Sequence, residues 1–148
     1  MNENMTSLLT GGIPAALGAI LGYLFGPWDA VIMVLLCVVI LDYVTGVIGA
    51  AVHKCMDSSV GFAGLFKKVF IFVLVALAAL LDKLVPSTNG AVRTAVCMFY
   101  IANEGLSILE NAGKIGLPIP EPLQNALQKL KSKENSLSLI HISEPTRH

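Results

Sequence analysis

A chain of 148 residues that is 55% hydrophobic and only 14% charged, with a mean hydropathy of +0.73, is not an ordinary soluble domain, in which about a quarter of residues carry charge. Its ten basic and ten acidic residues cancel, so no bulk basic field points to nucleic acid. The length leaves no room for a membrane anchor plus a large enzyme domain. The composition predicts an all-α integral membrane protein with about four transmembrane helices, three if the last lies in the interface, followed by a short cytoplasmic amphipathic tail helix.

Residues 4–28 carry no charge. The start, Met1-Asn2-Glu3-Asn4, lacks the basic residues that open a cleavable signal, so the first apolar segment is expected to be retained. That segment predicts a span over 8–26, closed by Pro27 and by Trp28, a residue suited to the membrane interface. Gly18, Gly22 and Gly26 recur every four residues and form a small-residue face on which helices can pack closely. The second span is 30–52, interrupted only by Asp42. Thr45, Gly46 and Gly49 continue the small-residue theme there. The third span is 65–85, where Lys67, Lys68 and Lys83 are expected to snorkel to the headgroups. Pro86-Ser-Thr-Asn-Gly90 is a turn. The fourth span is 91–112, and it contains Arg93, Asn103, Glu104 and Glu110. Residues 1–116 thus form the membrane domain. Residues 117–136 form a proline-rich turn and a basic tail with a short helix over 121–133.

Residues 137–147 read Leu-Ser-Leu-Ile-His-Ile-Ser-Glu-Pro-Thr-Arg. This matches the in-frame translation of a transposase-type sequencing adapter over eleven residues. The stretch 137–148 is therefore set aside as adapter read-through, and the natural C-terminus beyond about Ser136 is expected to be missing.

The basic residues set an expected topology. With four spans, Lys54, Lys67, Lys68 and Lys114 fall on one side with the tail lysines Lys129, Lys131 and Lys133, against Lys83 and Arg93 on the other. The excess marks the first side as cytoplasmic, with both termini inside.

Asp42 and Glu104 sit near mid-span on helices running the same way. A lone carboxylate at that depth costs roughly 2.5–3.5 kcal/mol on insertion scales, so both must face a helix seam, a subunit interface or a wet lumen. On the fourth span Arg93, Cys97, Tyr100, Glu104, Ser107 and Asn111 alternate four and three apart and share one face. That face suits a channel wall or an oligomer seam, and equally the contact face of an interfacial helix. The candidate pore-lining or seam residues are Asp42, Arg93, Tyr100, Asn103, Glu104, Ser107 and Asn111. Cys37, Cys55 and Cys97 read as packing residues. His53 and Cys55 lack the further ligands a metal would need. No phosphate loop, nucleophile elbow or metalloprotease helix is present, so neither an enzyme nor a cofactor is expected.

Three stretches carry a likeness: Leu41-Asp-Tyr-Val-Thr-Gly46, Gly64-Leu-Phe-Lys-Lys68, and Ala91-Val-Arg-Thr-Ala95 leading into Tyr100-Ile-Ala-Asn-Glu-Gly-Leu-Ser-Ile-Leu-Glu-Asn111 and Gly116-Leu-Pro-Ile-Pro120. Over about residues 28–131 the chain resembles the phage-lysis and toxin-secretion holins, holin family 4, including the clostridial toxin-export branch. The resemblance implies a bacteriophage protein that forms homo-oligomeric lesions in the bacterial inner membrane. Through them a cell-wall hydrolase (endolysin), or in some relatives a toxin, leaves the cytoplasm and the host cell lyses. The motif residues carried over are Asp42, Tyr43, Thr45, Gly46, Arg93, Tyr100, Asn103, Glu104 and Glu110. In that reading the lysine-rich tail tunes timing. A small ion or proton conductor using Asp42 and Glu104, and a non-conducting antiholin-like regulator, are the rival readings.

Overall fold

The structure, a computed structural model, describes the backbone of residues 2–142 and the side-chain surroundings of residues 2–133. Among the described residues every regular element is helical. The chain opens with α1 (Glu3–Ser7), a π-helical turn (Leu8–Gly12) and α2 (Ile13–Phe25). Together they form a 23-residue rod in which no residue is buried. The wide turn has a local cause. Pro14 offers no N–H to the carbonyl one turn before it, and Gly11 and Gly12 let the backbone widen around the gap. The rod starts at Glu3, five residues before the expected span.

Helix α3 (Ala30–Val52) is capped by Asp29, whose carboxylate accepts from the Ile32 N–H at 3.2 Å. Helix α4 (Ser58–Leu84) is capped by Asp57, which accepts from the N–H and Oγ of Ser59 at 2.9 and 2.7 Å. These bonds hold the Asp57 carboxyl below its ordinary value. This cap starts α4 seven residues before the expected third span, because an Asp-Ser-Ser sequence satisfies the free amides of a first turn. A 3-10 turn (Pro86–Thr88) with Asn89 and Gly90 in the left-handed region leads into α5 (Ala91–Lys114). Helix α6 (Glu121–Ile142) extends beyond the expected 121–133. It includes the backbone of the first residues of the adapter-like stretch, of which 143–148 lie outside the described residues.

Helices α3 and α5 run side by side in the same direction. They are tied at one end by Arg93 and Asp29, and at the other by His53 Nε2, which donates to the Lys114 carbonyl at 3.0 Å. Helix α4 runs antiparallel to both. Ile32, Leu35, Val39, Ile71, Val75, Cys97 and Ile101 form the core where the three meet. Helix α2 joins this body through its last turn, with Phe25 edge-on to Phe72 at 6.3 Å. The outer surface is apolar: Val60, Phe62, Phe66 and Phe70 are each 64–69% exposed. Such a surface fits hydrocarbon rather than water. In lipid the core holds by close van der Waals contact, since hydrocarbon chains are as apolar as the side chains themselves. Three helices, Glu3–Phe25, Ala30–Val52 and Ser58–Leu84, are long and apolar enough to cross a membrane by length and composition. Helix α5 is as long, at 24 residues, but more polar.

Candidate functional site

Two charged clusters lie between the helices, one at mid-length and one at an end. In the first, Lys68 of α4 points inward and its ammonium donates to Asp42 Oδ2 at 2.5 Å and to Glu104 Oε2. All three side chains are 10–14% exposed. Asn111 Nδ2 donates to Asp42 Oδ1 and to Thr45 Oγ1, both at 3.1 Å, and the Thr45 hydroxyl donates to the Asp42 carbonyl at 3.0 Å. Asp42, Lys68 and Glu104 stand at one level. Each is ten residues from the end of its helix at Val52, Ser58 and Lys114 respectively, about 15 Å at 1.5 Å per residue. Pairing and hydrogen bonds offset what burial of each charge alone would cost.

The second cluster holds the opposite end. Arg93 is 5% exposed. Its guanidinium donates to both carboxylate oxygens of Asp29 at 3.0 and 3.1 Å, to the Phe25 carbonyl at 2.6 Å and to the Pro27 carbonyl at 2.8 Å. The Arg93 hydrogen bonds hold the Asp29 carboxyl below its ordinary value. Asp82 accepts from the Val92 and Arg93 amides at 3.2 and 2.8 Å and from the Thr88 hydroxyl at 2.6 Å, so it caps α5 from α4. One arginine thus fixes the α2–α3 turn to the start of α5.

The structure gathers some of the sequence-predicted residues and disperses others. Asp42, Glu104 and Asn111 converge with Thr45, and Gly46 lies beside the Asn111 amide. Tyr100 is half-buried, edge-on to Phe99 at 5.1 Å, and lines an open apolar groove of about 240 Å³ between α4 and α5. Asn103 and Ser107 are half-buried and make no side-chain hydrogen bond among the described residues. Within a single chain the polar stripe of α5 faces α3 and α4 rather than a lumen. Gly49 is buried on α3, while Gly18 and Gly22 have open space where a Cβ would stand.

Two expectations are corrected. Gly26 is not on the Gly18–Gly22 helix face. It ends the helix at φ +74°, with Arg93 Nε 3.4 Å from where a Cβ would be. The residue before a proline is driven out of the helical region, so Pro27 stops the helix one residue early. Lys68 does not snorkel outward with its neighbours, because two carboxylates at its own level hold it inside. Lys54, Lys67 and Lys114 are exposed on that half of the bundle, and Lys129, Lys131 and Lys133 are exposed on α6. Lys83, on the other half, donates to the Tyr23 carbonyl and lies 3.5 Å over the Tyr23 ring.

Asp29, Asp82 and the inward role of Lys68 were missed in the sequence. Reading α4 from its Asp57 cap places Lys68 well inside the helix rather than at its lip, and that signal was available.

No solved structure matches the chain. It is 41% identical over 132 residues to a 14.9 kDa protein of the nagH 3′ region of Clostridium perfringens, covering 89% of this chain and 99% of that one. A Clostridium acetobutylicum protein is 39% identical over 125 residues, covering 84% and 100%. A Bacillus phage phi105 protein named "Probable holin" is 37% identical over 110 residues, covering 74% and 80%. A family model described as bacteriophage holin matches residues 19–132, a range that contains both charged clusters, and the chain therefore belongs to the bacteriophage holin family.

Proposed function

We propose that this protein is a lysis holin. It oligomerises in the cytoplasmic membrane of a bacterial host and opens lesions through which an endolysin, or in a toxin-exporting setting a toxin, leaves the cell. The supporting observation is the Asp42–Lys68–Glu104 cluster at one level of a bundle whose outside is apolar. It is a polar seam held closed by ion pairs that rearranged subunits can open to water. The holin family is not a family of enzymes, and catalysis has no part in this reading.

Helix α5 completes a fourth span. It is bound to α3 at both ends, so if α3 crosses the bilayer, α5 crosses beside it, with its charges turned to partners. The end with Lys54, Lys67 and Lys114 is cytoplasmic by its excess of basic residues, and both termini lie there. The test is induction in a bacterial host with membrane potential, viability and escape of a cytoplasmic reporter hydrolase followed together. Potential and viability collapse with escape of the hydrolase. Growth with intact potential overturns the proposal, and loss of potential without escape of protein identifies a small ion conductor instead.

A further inference from the structure

We infer that the Ala102–Gly105–Leu109 face of α5 is a contact face for a second copy of this chain, and that α6 is its removable cover. The inference rests on the holin reading for its biological sense and on the geometry for its content.

Helix α6 doubles back along α5. Ile119 lies 3.5 Å from where a Cβ on Gly113 would stand, and the Leu127 side chain lies 2.8 and 3.1 Å from the same position on Gly105. The two contacts are eight residues apart along each segment and run in opposite order, so α6 lies antiparallel to α5. Gly105 is the reason this fits: a Cβ there would force the Leu127 methyls to shift. Ala102, Gly105 and Leu109 are all buried, and their three-and-four spacing puts them on one face.

The docked arrangement conflicts with a bilayer. Gly105 is nine residues from the end of α5, about 13 Å along the axis. Beyond Leu127, α6 carries Lys129, Lys131 and Lys133 further along α5, past the level of Glu104, and all three are exposed. When α5 crosses the membrane beside α3, the Lys129 and Lys131 ammonium groups fall at mid-depth in the hydrocarbon, far from either surface. A docked α6 and a lipid-surrounded α5 exclude each other. Insertion therefore lifts α6 off, and an α5 face with a notch at Gly105 is left uncovered at mid-depth. Small residues there let another backbone approach closely. The notch is shown to accept an apolar side chain from a helix, because Leu127 already occupies it.

The chain also carries an apolar rod of matching length, Glu3–Phe25, in which nothing is buried. Offered from a neighbouring copy, that rod makes a head-to-tail contact that repeats around a ring or along a filament.

A photoactivatable diazirine side chain at position 109 of the full-length protein reports what covers the face. In host membranes the expected product is a dimer adduct. Leu127→Asp, which undocks α6 ahead of insertion, makes the dimer adduct appear several-fold faster after induction and advances lysis. Leu127→Ala does the same more weakly. Lipid adducts alone, or an intrachain α6 adduct that persists in membranes and ignores both substitutions, overturn the inference. Adduct formation is scored independently of killing, so a dimer adduct without lethality defeats the holin reading and leaves the contact face standing.

Discussion

Lys68 Nζ lies 2.5 Å from Asp42 Oδ2 although the two residues sit on antiparallel helices, and the same ammonium also serves Glu104. One cation therefore holds α4 to both α3 and α5 at a level where α4 has no other fully buried contact, its buried residues beginning only at Ile71. Removing that cation leaves two carboxylates facing each other with nothing between. Lys68→Met is expected to lower stability in detergent by about 3–5 kcal/mol, the usual cost of breaking a buried pair from one side. Adding Asp42→Asn and Glu104→Gln to Lys68→Met is expected to recover most of the loss. Thermal unfolding of the three proteins measures this. Equal Tm values for the wild type and Lys68→Met would mean that the ammonium is not holding the helices.

The Arg93–Asp29 clamp predicts a pH signature. The folded-state pKa of Asp29 is depressed by the Arg93 hydrogen bonds. Its stabilisation is thus fully present above the ordinary carboxylate value, about 3.9, and is lost as pH falls through the lower folded-state value. Asp29→Asn should lower Tm at pH 7 by about 2–4 °C, equivalent to roughly 1 kcal/mol once solvent screening of this partly exposed carboxylate is counted. The gap between variant and wild type should close as pH falls through the depressed folded-state value. A gap independent of pH would assign the clamp to the two backbone carbonyls instead of the carboxylate.

Topology is open to a direct check. In a cysteine-free background, Asn89→Cys and Lys114→Cys sit at opposite ends of α5. Four spans with both termini inside require that an impermeant thiol reagent added to intact cells labels position 89 and spares position 114. Labelling at both positions, or at neither, rejects the fourth span.

The fold was legible where hydrophobic length alone decides. The apolar run between Asp29 and His53 gives α3 its bounds, and the spacing of Arg93, Cys97, Glu104 and Asn111 puts them on one face of α5. What that face looks at was not legible. Arg93 is answered by a carboxylate 64 residues earlier, and Glu104 by a lysine 36 residues earlier, and no periodicity encodes such pairings. Lys68 was misplaced because hydropathy rises only at Leu65, whereas the helix is started by the polar cap at Asp57. Gly26 was misplaced because a four-residue count ignores what Pro27 does to the residue before it. The likeness to a known family supplied the functional reading, which the helices by themselves did not.

The charge count of the central cluster fixes the sign of its effect on lysis. Two carboxylates and one ammonium leave one negative charge uncompensated in a low-dielectric seam, and that excess acts against closure. Glu104→Gln removes it and leaves Lys68 and Asp42 as a neutral pair, so the closed bundle is favoured and lysis is expected to come later. Lys68→Met acts oppositely: two carboxylates press α5 and α3 apart, and lysis is expected early or the protein fails to accumulate. Glu104→Leu shares the charge effect of Glu104→Gln but loses the amide that can still accept from Lys68, so its delay should be the smaller of the two. Induced cultures followed by turbidity, with protein levels matched by immunoblot, give the order directly. A Glu104→Gln culture that lyses ahead of the wild type would show that the excess charge is not what opens the seam.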